Sequence, residues 1–198
     1  AWYCYYLPNF NIKFFNWSII VLLGFEIAYI ALQAGRGQLS HYNLSTPVYS
    51  VLFSMMALAA SAVTIYTAYV GFLFFSNSFP ELPTYYVWAI RLSIILFVIF
   101  SFEGFAMGSR LSHTVGALND NSNLFILGWS KTFGDLRVAH FIGMHALQVL
   151  PVLSFYVLKN TKLTIVVAIV YGLLALLTLL QALKGKPLLG GKGNTEVV

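Results

Sequence analysis

The sequence predicts an all-α, polytopic transmembrane helix bundle with five spans. Three observations predict it. Only 9% of the 198 residues are charged while 59% are hydrophobic, against about 25% charged in a soluble domain. Five apolar stretches are long enough for the ~30 Å hydrocarbon core, which takes about 20 residues of helix. The breaks between them are rich in residues that stop helices or start them.

The spans fall near 14–34, 47–75, 84–109, 135–158 and 163–183, in one integral-membrane helical domain covering 1–198. "AGRGQLSHYNLSTP" ends the first span with glycines. It restarts the chain at Ser45, Thr46 and Pro47, cap residues followed by a proline in the first helical turn. "SNSFPELP" is a short turn, "TVGALNDNSNLFILGWSKTFG" a polar loop and "KNTK" a tight basic turn. Beyond Lys184 the Gly-rich tail, 185–198, is expected to be mobile. The opening "AWYCYYLPNF" carries no charged region leading an apolar one, so it reads as the end of a preceding helix and not as a signal peptide.

Composition excludes some function classes. The net charge of +5 comes from eleven basic residues scattered along the chain, with no basic stripe for a nucleic-acid partner. The single cysteine, Cys4, rules out an internal disulfide. The partners expected are the lipid bilayer and other membrane subunits or further copies of the chain. Alternation of the spans puts residues 35–46, 110–134 and 184–198 on one face, side A. The bias of Arg and Lys toward that face leans to its being cytoplasmic.

The informative stretch is "GDLRVAHFIGMHALQVLP", residues 134–151, which places Asp135, Arg137, His140, His145 and Gln148 at the start of an apolar span. Ionisable groups are costly within a bilayer and need partners or a purpose. All four histidines, His41, His113, His140 and His145, lie on side A or just beneath it. At 1.5 Å per residue, Glu26 lies roughly 14 Å in from its helix end, Glu103 roughly 10 Å and His145 roughly 15 Å. Above them come Arg36, His41, Arg110, His113, Arg137 and His140. At 100° per residue, Arg137, His140, Met144 and Gln148 share a stripe with His145 at its edge. Glu103, Met107 and Arg110 share another, and Glu26 and Gln33 a third. These phases predict a pocket in which His145 lies within hydrogen-bonding or metal-ligand reach of Glu26 or Glu103, or of a ligand they share.

Simpler readings exist for single residues. Asp135 suits an N-cap, and Arg36, Arg110 and Arg137 suit snorkelling to headgroups. Co-location is what they explain poorly. For the chemistry, His140, His145, Glu26 and Glu103 are the candidate ligands of a transition metal, and paired histidines are the candidate axial ligands of a haem. The arginines favour an anionic group such as a carboxylate, a phosphate or a haem propionate. Ligand-binding candidates are thus Glu26, Arg36, His41, Glu103, Arg110, His113, Arg137 and Gln148. His140 and His145 are five apart, about 140° round the helix, which hinders joint ligation of one ion. No Glu-x-x-His, His-x-x-x-His or Cys-x-x-Cys-His motif is present.

The segments Arg36 to Asn43, His113 to Gly116 and Gly134 to Gln148 resemble an uncharacterised family of bacterial polytopic membrane proteins. That family has RG-x-x-SH-[FY]-N, HTVG and GDLR-x-x-HF-x-G-[LM]HALQ motifs. The resemblance implies a multi-pass protein of the bacterial cytoplasmic membrane and, since similar chains carry a further N-terminal helix, six spans at full length. It implies no activity. Three roles are therefore carried forward: a metal-, haem- or anion-binding protein with a redox-related task, a transporter or channel for small anions or protons, and a non-catalytic subunit of a larger membrane complex.

Overall fold

The computed structural model describes residues 2–116, 124 and 127–189. Among the described residues five helices are long and apolar enough to cross a membrane: α1 (Ile12–Gly35), α2 (Pro47–Ser76), α3 (Thr84–Arg110), α4 (Leu136–Leu153, prolonged by a π turn over Ser154–Leu158) and α5 (Thr161–Leu183). The expected spans agree with these within two residues at each end, and the chain is all-α as the sequence predicts. Most of the polar loop after α3 and residues 190–198 of the expected mobile tail lie outside the described residues.

Helix starts follow the caps written in the sequence. Asn11, Thr46, Asp135 and Asn160 each accept a hydrogen bond from a backbone N–H of the first turn, and Pro47 opens α2. Pro151 lies within α4, three residues before the start of the π turn, which ends on Lys159 in the left-handed region (φ 46°). The irregularity sits in the last turn of the span, so α4 is not broken at mid-membrane.

The chain divides into two compact units, residues 1–83 and 84–198. In the first, α1 and α2 follow a 3₁₀ turn (Trp2–Tyr6) whose Cys4 is buried. Aromatic contacts tie this unit together. Phe15 meets Tyr66 edge-on at 4.8 Å between ring centroids, and Tyr3 meets Phe74 at 5.8 Å.

In the second unit α3, α4 and α5 pack through small residues. Phe100, Ala139 and Ala175 form one buried cluster, and Ala146, Leu150 and Ala168 another. A Cβ added to Gly143 would drive into the ring of Phe100. Close backbone approach through Gly and Ala is the usual way helices associate where no hydrophobic effect separates protein from lipid. Polar bonds pin the same helices. Tyr171 Oη donates to the Ile142 carbonyl at 2.6 Å, and Ser154 Oγ reaches both the Tyr85 carbonyl (3.1 Å) and Thr164 Oγ1 (2.8 Å).

Between α3 and α4 the chain makes a two-residue antiparallel ribbon, β1 (Thr114–Val115) with β2 (Gly134–Asp135), in the register Thr114 to Asp135 and Val115 to Gly134. The Leu136 N–H continues it to the His113 carbonyl at 2.9 Å. Gly134 lies against the backbone of α5. A Cβ there would overlap the Ala182 carbonyl, so this glycine is required by a close approach. The segment just past α5 turns back on it, with the Lys186 N–H on the Gln181 carbonyl at 3.2 Å.

Candidate functional site

The structure sorts the sequence candidates into three settings. On the first unit, Glu26 stands half-buried on α1. Arg36 caps the same helix, exposed, with Nη2 donating to Tyr49 Oη at 3.2 Å. His41 lies in the following loop, where Nδ1 is 3.0 Å from Ser40 Oγ and the ring meets Tyr42 and Phe53 edge-on. Desolvation holds its imidazole below the ordinary value of 6.5.

On the second unit, the first turn of α4 is a structural clasp. Asp135, 2% exposed, accepts from the Ser130 N–H at 2.9 Å and from the Arg137 N–H at 3.1 Å. Arg137 returns Nε to Oδ1 at 3.0 Å and Nη2 to Oδ2 at 2.6 Å, and also donates to the Gly128 carbonyl. The guanidinium of Arg137, a ligand-binding candidate from the sequence, here holds the cap and the preceding loop. His113 lends its carbonyl to the same region, and Arg110 ends α3 exposed.

One turn deeper lies the pairing that stands out. Glu103 Oε2 is 3.4 Å from His140 Nδ1, with the Glu103 side chain 7% exposed and that of His140 28%. Nδ1 already donates to the Phe100 carbonyl at 2.7 Å. A carbonyl only accepts, so Nδ1 carries hydrogen and Nε2 holds the lone pair of the neutral ring. Neither Glu103 oxygen has a hydrogen-bond partner among the described residues. The imidazole lies over Gly104, where an added Cβ would stand 3.1 Å from Cε1. The glycine after the glutamate gives the histidine its place.

His145 is elsewhere. Its Nδ1 donates to the Phe141 carbonyl at 2.7 Å, its ring lies 4.0 Å from that of Phe141, and the residue is exposed. Within this unit His140, and not His145, is the histidine beside Glu103. The reason is phase. The buried face of α4 is Leu136, Ala139, Gly143, Ala146 and Leu150, the line of small residues that lets the helices close up. The polar stripe of Arg137, His140, Met144 and Gln148 runs beside that face, and Gln148 is exposed. A carbonyl four residues back satisfies His145 without a tertiary partner.

No group of three or more His, Cys, Asp or Glu side chains is placed to hold a metal ion among the described residues. What the sequence reading missed is the Phe100 carbonyl, which orients His140, and the tyrosines Tyr29 and Tyr49 beside Gln33 and Arg36. The spacing of Tyr29, Gln33 and Arg36, at i, i+4 and i+7, was the available signal for part of that second group.

Fold and side chains together define a multi-pass helical membrane protein with a glutamate–histidine pair between two spans, α3 and α4, of its second unit. Comparison with family models, with curated proteins and with solved structures finds no match to the chain.

Proposed function

We propose that the chain is a proton-handling transporter or channel of the bacterial cytoplasmic membrane, of the family its motifs resemble, with Glu103 and His140 as the proton-binding site. One observation carries the reading: a carboxyl group inside a membrane-spanning helix, 7% exposed and without a hydrogen bond among the described residues, lies 3.4 Å from an imidazole nitrogen. Burying an ionised carboxylate without a partner costs several kcal/mol, by order of magnitude. The pair avoids that cost in two ways, as a carboxylic acid beside a neutral imidazole or as a carboxylate beside an imidazolium. The two forms hold the same number of protons, one more than a carboxylate beside a neutral imidazole. Releasing or passing on that proton changes the charge of the span, which is what a proton relay requires.

His140 suits the task because its tautomer is fixed. With Nδ1 held by the Phe100 carbonyl, Nε2 is the nitrogen that takes and gives a proton. Arg110, two helical turns from Glu103 at the end of α3, supplies positive potential at the mouth. Arg137 is neutralised by Asp135. The metal and haem readings lose support because His145, the second imidazole of α4, is directed to Phe141.

The test is proton flux into liposomes holding the purified protein and an internal pH-sensitive dye, driven by a potassium diffusion potential. Wild type is expected to acidify the lumen at least tenfold faster than empty vesicles. Glu103→Gln and His140→Gln are expected to fall to the empty-vesicle rate, with His145→Gln unchanged. A Glu103→Gln protein that conducts like wild type sinks the proposal.

A further inference from the structure

Along α4, Phe141, His145, Gln148 and Val152 recur at i, i+4, i+7 and i+11, one stripe of the helix, and all four are exposed. Counted from Leu136 at 1.5 Å per residue, His145 lies about 14 Å along the span and Gln148 about 18 Å, well inside a hydrocarbon core of ~30 Å. The Phe141 carbonyl takes the Nδ1–H of His145 at 2.7 Å, which leaves the lone pair of the neutral ring on Nε2. Neither that nitrogen nor the Gln148 amide has a hydrogen-bond partner among the described residues.

Other polar groups of the spans make themselves acceptable to lipid. The hydroxyls of Ser18, Ser54 and Ser61, none of them buried, each donate to a carbonyl four residues back. A ring already anchored through Nδ1 turns Nε2 away from its own backbone and has no such escape. Acyl chains offer neither donor nor acceptor, so this stripe needs a partner that carries both.

The groups themselves say which partner. His145 Nε2 and Gln148 Oε1 only accept, and the Gln148 amide has two N–H groups to give. Donors and acceptors on the stripe are therefore equal in number, and they lie on residues three apart, about 4.5 Å along the axis. A two-fold interface makes every contact twice, residue i on residue j and the reverse. One N–H of each Gln148 then reaches the second copy's His145 Nε2, and the other reaches the second copy's Gln148 Oε1. The network closes with nothing unpaired, whereas an apolar helix would leave every one of these groups bare.

We infer that this face of α4 is the interface of a parallel two-fold dimer of the chain, held at mid-membrane by His145 and Gln148. Interhelical hydrogen bonds of this kind are a common means of helix association in lipid. Phe141 and Val152 flank the polar pair on the same stripe and supply the apolar part of the contact.

The experiment is subunit counting by single-molecule photobleaching of the full chain, labelled at its C-terminus and diluted stepwise in phosphatidylcholine vesicles. Two bleaching steps are expected, giving way to one only on dilution. His145→Leu and Gln148→Leu are each expected to weaken association at least tenfold, and the double variant little more than either alone, since each breaks the same network. In a Cys4→Ser background, Val152→Cys is expected to form a disulfide-linked dimer on oxidation, and Leu177→Cys, exposed on α5, to form none. A single bleaching step at every dilution, or more than two, would overturn the inference. So would a dimer unaffected by both leucine variants, or one that links through position 177 and not through 152.

Discussion

Arg137 grips Asp135, two residues before it, through two side-chain hydrogen bonds of 3.0 and 2.6 Å. Asp135 is buried and also caps α4, so one carboxylate serves the helix start, the ribbon and the preceding loop. Charge-assisted hydrogen bonds of this kind contribute about 1.5–3 kcal/mol. Asp135→Asn is expected to lose stability in that range and to lower the thermal midpoint in detergent, whereas Asp135→Ala is expected to lose more. A midpoint unchanged in Asp135→Asn would show that the clasp is dispensable.

Glycine positions should divide sharply. Gly134→Ala places a methyl group on the Ala182 carbonyl and Gly143→Ala places one in the Phe100 ring, while Gly108 has nothing within 4 Å of an added Cβ. Overpacking costs about 1–3 kcal/mol, more where backbone must move. Both crowded variants are expected to unfold at lower denaturant concentration, with Gly108→Ala equal to wild type or slightly better. Equal midpoints for all three would contradict the packing.

Gly104→Ala should act locally on the proton site. The new methyl group presses on His140 Cε1 and moves the ring by a few tenths of an ångström. Proton flux is expected to fall severalfold with little loss of thermal stability. A variant that unfolds, or one that conducts as wild type does, would separate His140's position from the flux.

His41 predicts a pH dependence. Its folded-state pKa lies below the ordinary 6.5 because burial disfavours the imidazolium. As pH falls through about 6.5 the unfolded chain takes up the proton first, so folded stability is lost on acidification and is fully present above that value. Comparing wild type with His41→Gln at pH 7.5 and pH 5.5 isolates the effect. Wild type is expected to lose more stability than the variant between the two, and a larger loss in the variant would reverse the assignment.

Cys4 should be a poor nucleophile. It is buried, and desolvation pushes its thiol up to about 11, whereas the thiolate is the reactive form. Maleimide at pH 7.5 is expected to label the folded protein far more slowly than the SDS-denatured chain. Equal rates would place Cys4 at the surface.

The sequence alone determined the spans, the start of α2 at Thr46 and Pro47 and the cap role of Asp135, because helix length, apolar runs and a Thr, Asp or Pro at a start are local properties. It also drew attention to Glu103, His140 and Arg36, since ionisable groups in apolar runs are conspicuous wherever they point. Only the tertiary structure decided which histidine meets Glu103. That choice rests on which face of α4 packs, and Ala139, Gly143 and Ala146 win that face by allowing the closest helix approach. Helical phase placed the polar stripe but did not reveal that it lies beside the packed face. Nor did it reveal that a backbone carbonyl would satisfy His145, or that Arg137 would bind its neighbour Asp135. Those outcomes depend on distances between atoms that are remote in the chain or turned by local geometry, and residue spacing does not encode them.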